Sequence, residues 1–109
     1  MYVSVTGIKP KGLLGWLQFI IMTAPASRKA RKADGVLLCE FAARDGYQNT
    51  LTVWESKKHM MAYRASAAHL RAMKRLSQIG AGKVHGYETD AIPSWEDAFA
   101  EYERYARQV

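Results

Sequence analysis

His69 is the side chain in this 109-residue sequence best placed by type and spacing to do chemistry. A neutral imidazole in an apolar pocket relays a proton or ligates iron near neutral pH. On a helix, Ser66 and Met73 share its face, three positions before and four after. The alternative is a hydrogen-bonded structural histidine, and the sequence leaves both readings open. His59 shares a face with Tyr63 by i, i+4 spacing but follows Lys57 and Lys58, which reads as a solvated site. His85 alternates with Tyr87 along a strand and faces either a pocket or a subunit seam. Trp16, Trp54, Tyr63, Met60, Met61 and Met73 either line an apolar cavity or fill the core.

Several chemistries are disfavoured. No two histidines combine with a carboxylate at metal-ligand spacing, so no dedicated metal site is expected. The glycines form neither GxGxxG nor GxxxxGK[ST], the phosphate-cradling loops. A Ser, His and acid set is spatial, and its absence from the linear order does not dismiss it.

The elements that must position these side chains follow from periodicity. Tyr2 to Ile8 alternates and is rich in β-branched residues, so it is a strand, with Lys9 to Gly12 turning into a helix from Leu13. Pro25 is expected to kink or break that helix, leaving a short basic turn from Ala26 to Lys32. Val36 to Ala43 is a second strand, apolar on both faces, and Gln48 to Trp54 returns as a third. A long helix spans Ser56 to about Gln78, with a discontinuity near Ser66, whose hydroxyl competes for backbone hydrogen bonds. That break matters: an unbroken helix separates Tyr63 from His69 by about 120° of rotation, whereas a broken one turns both toward one cavity. Gly80 and Gly82 terminate the helix, Lys83 to Thr89 is strand four, and Ser94 caps a last helix with an apolar stripe from Trp95 through Ala98, Phe99 and Tyr102 to Ala106.

One domain, residues 1–109, accommodates all of this. The net charge of +6 raises nucleic acid as a partner. However, the cations gather at helix ends, in Arg28 to Lys32 and in Arg71, Lys74 and Arg75, where they complement the helix dipole. Gln48 to Val53 lacks the stacking aromatics of an RNA-reading strand, so no nucleic-acid partner is expected. Cys39, the single cysteine, excludes an internal disulfide and reads as a buried small hydrophobe. Leu13 to Ala24 is too short to span a bilayer and lies too far along the chain for a secretory signal. The expectations are a cytoplasmic protein and no membrane partner.

The order βαββαβ plus a C-terminal helix is the ferredoxin-like α+β arrangement. With helices on one face of an antiparallel sheet, the other face stays open. Its apolar residues would cost about 25 cal/mol per Å² left in water, so a second sheet is expected to cover it in a homodimer. Whether the last helix packs on its own subunit or on a partner is not decided by the sequence.

At this level the sequence resembles the dimeric α/β barrel superfamily that includes the antibiotic biosynthesis monooxygenases. The resemblance lies in Leu51-Thr52-Val53-Trp54-Glu55-Ser56, in Tyr63-Arg64-Ala65-Ser66-Ala67-Ala68-His69-Leu70 and in Asp34-Gly35 before the second strand. Ile92 to Ala98 is similar to an uncharacterised branch with a terminal helix, and the helix holding Trp16 and Met22 is fainter in its similarity to spheroidene monooxygenases. The resemblance implies an apolar small molecule in a cavity between sheet and helices. In the characterised members it implies oxygenation without metal or flavin. Related members degrade haem with an Asn, Trp and His set. This chain departs from that set: its first strand has Ser4 and Thr6 but no Asn, and Tyr63 stands where the helical Trp aligns. On this reading the site comprises His69 as the catalytic group and Trp54, Tyr63, Trp16, Ser66 and Met73 as pocket. No cofactor is expected, and haem through His69 is the alternative, in a non-catalytic binding protein.

Overall fold

The computed structural model describes residues 1–108, Ala68 by its backbone. In chain order these form β1 (Tyr2–Pro10), α1 (Gly12–Arg31), β2 (Val36–Arg44), β3 (Tyr47–Trp54), α2 (Lys57–Arg64), α3 (Ala67–Ile79), β4 (Gly80–Glu88), α4 (Trp95–Tyr105) and β5 (Arg107–Gln108). All pairings are antiparallel, in the order β2-β3-β1-β4-β5. This is the expected ferredoxin-like α+β sheet, extended at one edge by a short β5 that the sequence did not announce.

The two sheet faces differ in kind because the two central strands alternate. Val3 and Val5 on β1 stand opposite Val53 and Leu51 on β3. All four are fully buried, and with Ala98 they form the hydrophobic core. Within this cluster, burial of each of these aliphatic side chains contributes roughly 1.5–3 kcal/mol. What covers it is α4, on its own sheet, through Trp95, Ala98 and Tyr102. Ser94 caps α4 as expected, its hydroxyl accepting from the Asp97 N–H at 3.1 Å. Trp95 donates its indole N–H to Glu40 of β2 at 3.1 Å, and Arg44 pairs with Glu103. Within the chain α4 lies over this apolar face, where the sequence argument placed a second sheet.

The opposite face carries Ser4 and Thr6 of β1 against Thr52 and Thr50 of β3, beneath α1, α2 and α3. Two expectations need correction here. Pro25 lies inside α1 without ending it. Its ring faces solvent, and the carbonyl deprived of a donor belongs to Ile21, itself 73% exposed, so water serves that group. Neighbouring hydroxyls, Thr23 to the Ile20 carbonyl and Ser27 to the Ala24 carbonyl, pick up acceptors of the same turns. Gly80 caps the end of α3 as expected, its N–H bonded to the Leu76 carbonyl, but it also begins β4, three residues before the expected start, and Gly82 lies within that strand. A Cβ on Gly80 would lie 2.3 Å from the Lys9 carbonyl oxygen, so glycine is what lets the two strands pair this closely at Pro10.

Candidate functional site

The helix following β3 is broken where the hydroxyl chemistry of Ser66 predicts. α2 ends at Arg64, and Ser66, in an extended conformation, caps α3 by accepting the His69 N–H at 3.3 Å. The break brings Tyr63 and His69 together edge to face with ring centroids 5.1 Å apart. Trp54, at the end of β3, meets Tyr63 from the other side at 5.3 Å. Trp54 is itself fixed by its indole N–H, which donates to Thr52 Oγ1 at 2.9 Å. These three rings form one wall of a cavity of about 560 Å³ between the sheet and the three helices.

The cavity has two unlike surfaces. Its helical side is apolar, with Phe19 of α1, Met60 of α2 and Met73 and Leu76 of α3. Its sheet side is a double row of hydroxyls, Ser4 and Thr6 facing Thr52 and Thr50 in register. Lys57, Arg64, Lys83 and Arg107 add four cations. A pocket of this size and make-up suits a drug-sized apolar ligand with oxygen substituents on one side.

Burial pushes the His69 imidazole below its ordinary pKa, and the Arg64 guanidinium adds to the effect, with the Arg64 backbone acting in the opposite direction. The ring is therefore neutral at pH 7. Its Nδ1 is buried and makes no hydrogen bond of good geometry among the described residues, although the Arg64 backbone lies close enough to favour the ring's proton. Burial also raises the Tyr63 phenol, with a further contribution from Cys39, so it stays a neutral hydroxyl. Nothing in the described residues gathers three metal-ligating side chains.

The structure thus puts His69, Trp54, Tyr63 and Met73 on one cavity. Ser66 serves as the helix cap and is not among the lining residues. Trp16 is a correction: it lies on the outer side of α1, 44% exposed, and does not reach the cavity. Its helix is apolar nearly all round, so spacing alone did not reveal that Gly15, Phe19 and Ala30 form the inward line. His59 is partly buried, not solvated, and belongs to the strand-to-helix junction, bonded to Ser56 Oγ at 2.8 Å with Glu55 and Asp34 nearby. The ring of His85 stacks on Tyr87 and meets Glu101 of α4 at 3.1 Å, which places it on the α4 side of the sheet. The hydroxyl rows were missed, although their signal was present. Ser and Thr recurring every second residue in two central strands mark a polar face in a place where a packed core requires an apolar one.

No protein-family profile matches the chain, and no curated protein sequence does. Solved structures do match. One from Deinococcus radiodurans, provisionally named an antibiotic biosynthesis monooxygenase, superposes with a TM-score of 0.76 at 16% identity, covering 86% of this chain and 97% of its own. A similarly named protein from Nitrosomonas europaea gives 0.72 at 17% identity, covering 84% and 100%. SnoaB, a cofactor-independent oxygenase from Streptomyces nogalater, gives 0.69 at 12% identity, covering 85% and 97%. The chain has the fold of these antibiotic biosynthesis monooxygenase-like proteins.

Proposed function

We propose that this chain is a monooxygenase-like enzyme that oxidises an apolar cyclic or isoprenoid small molecule in the helix–sheet cavity, without a metal or flavin of its own. The observation that carries the reading is the His69 ring, kept neutral by burial and set edge to face against Tyr63, on the wall of a 560 Å³ pocket with hydroxyls on its floor. A neutral imidazole is the form that accepts a proton. In the proposed reaction an activated CH2 of an electron-rich substrate gives its proton to His69, and the carbanion supplies the electrons that reduce O2. One oxygen atom remains as the new carbonyl, and the other leaves as water with the two substrate hydrogens. Ser4, Thr6, Thr50 and Thr52 hold the oxygen substituents of the substrate, while Phe19, Met60 and Met73 exclude water. The similarity in fold to SnoaB supports this class of chemistry.

The test is oxygen uptake by the purified chain with a panel of tricyclic phenols and isoprenoid quinols. Uptake that depends on His69 and yields an oxygenated product supports the reading; a folded chain that binds these compounds without consuming oxygen overturns it.

One observation favours a second reading. The same imidazole, with Lys57 and Arg64 among the cations on the lining, would hold a haem, His69 as the iron ligand and the cations for its propionates. Bound haem supplies iron chemistry at that position, and a Soret band that disappears in His69→Ala identifies this case.

A further inference from the structure

The net charge of the chain belongs to one surface. The first acidic residue is Asp34, and none lies between Glu55 and Glu88, so α1, α2 and α3 contain no carboxylate at all. Each of these helices carries three Lys or Arg, and all nine are exposed. By contrast, α4 on the other side of the sheet holds four acidic residues against the single Arg104.

The same helical layer is also apolar on the outside. α1 packs against α3 and the sheet through its inward line and turns Leu13, Leu14 and Ile21 outward at 70–75% exposure. Trp16, Leu17 and Ile20 complete the patch. At 3.6 residues per turn, Leu13, Leu17, Ile20 and Ala24 run down one face, and Arg28 and Arg31 continue the line. A contiguous patch of this kind on one helix calls for a partner.

The charges choose among partners. A second copy docking by the same patch would oppose seven cations, those not on the cavity lining, to seven, a like-charge contact that costs affinity. A nucleic acid would satisfy the cations but leave Leu13, Leu14 and Ile21 in water. An anionic bilayer satisfies both: headgroups meet the Lys and Arg, and the acyl boundary receives the Leu, Ile and Trp side chains. We propose that the α1–α2–α3 face is a docking surface for an anionic lipid bilayer, with α1 lying in the plane of the interface. No helix among the described residues is long and apolar enough to cross a membrane. The expectation of no membrane partner rested on Leu13 to Ala24 being too short to span a bilayer, but lying on a bilayer needs no span. The inference stands apart from whether the cavity turns over a substrate.

Co-sedimentation of the whole chain with vesicles tests it, using phosphatidylcholine alone and equimolar phosphatidylcholine with phosphatidylglycerol. The expected result is binding to the anionic vesicles only, falling about fivefold for each of Arg28→Gln and Lys29→Gln. The outward double variant Leu14→Gln/Ile21→Gln is expected to abolish it at an unchanged unfolding midpoint. Failure of the folded chain to sediment with anionic vesicles overturns the proposal, as does equal binding to neutral ones. Self-association in lipid-free buffer that disappears in Leu14→Gln/Ile21→Gln assigns the face to a second copy instead. Binding of single-stranded RNA that survives that double variant, without vesicle binding, assigns the cations to nucleic acid.

Discussion

Tyr63 and His69 belong to two different helices, yet their rings meet edge to face 5.1 Å apart. The cause is the Ser66 hydroxyl, which accepts the His69 N–H and starts α3 on a new axis. Ser66→Ala removes the cap and is expected to cost about 1 kcal/mol, read as a lower denaturation midpoint. Because the two rings owe their meeting to the break, the same variant is expected to weaken ligand retention in the cavity by more than the loss of stability explains. Ser66→Thr, which keeps a capping oxygen, is expected to restore both.

The lowered pKa of His69 sets a pH dependence with a definite sign. Unfolded, the imidazole takes a proton below about pH 6.5. Folded, it resists protonation because of burial first and Arg64 second. Between the two pKa values the unfolded chain binds more protons, so stability falls as pH drops from about 6.5 through the folded value. Above pH 7 both states are neutral and the contribution is flat. His69→Gln is expected to remove this part of the acid sensitivity, measured as a smaller decrease in denaturation midpoint between pH 7 and pH 5 than the parent shows.

Much of this architecture is readable from local rules. Alternation in Tyr2 to Ile8 and Gln48 to Trp54 locates the central strands, and serines at 66 and 94 mark helix starts because their hydroxyls satisfy orphan N–H groups. Failures arise where tertiary context outweighs a local rule. Pro25 is absorbed because its turn faces water, and Gly80 reads as a helix stop, which it is, while its second task of admitting the Lys9 backbone has no local signal. Trp16 is misplaced because a helix apolar on nearly every side gives no phase. The hydroxyl floor goes unnoticed because Ser4 and Thr6 fit a strand equally well whichever way they point, and only the burial of Val3 and Val5 settles the question. β5 has two residues, too few for any periodicity.

Covering of the sheet by α4 gives a prediction about assembly. Ala98 is fully buried against Val3, Val5, Leu51 and Val53. Ala98→Asp places an unpaired carboxylate in that contact and is expected to cost about 3–5 kcal/mol, enough to unfold a marginal domain or to lift α4 off the sheet. Lifting α4 would expose the apolar face, so the variant is expected to self-associate. Sedimentation velocity of parent and variant at matched concentration reads the difference. A variant that keeps the parent's stability and sedimentation coefficient would show that α4 does not hold this face.

The cavity itself can be tested by filling it. Ala72 of α3 and Thr50 of β3 line it from opposite sides, helix and sheet. Ala72→Trp adds bulk to the apolar wall without touching His69 or its cap. If ligand occupies this space, the variant is expected to retain an apolar fluorescent probe at least about tenfold less well, a loss of about 1.4 kcal/mol in binding. Its unfolding midpoint is expected to stay near the parent's, because a cavity of about 560 Å³ takes a side chain without forcing its neighbours off their rotamers. Thr50→Val keeps shape and removes one hydroxyl from the floor. The loss it causes is expected to be confined to probes bearing an oxygen substituent, since a buried polar group of the ligand is then left unpaired. A Thr50→Val variant that weakens oxygenated and pure hydrocarbon probes alike would locate the binding elsewhere, away from the sheet face of the cavity.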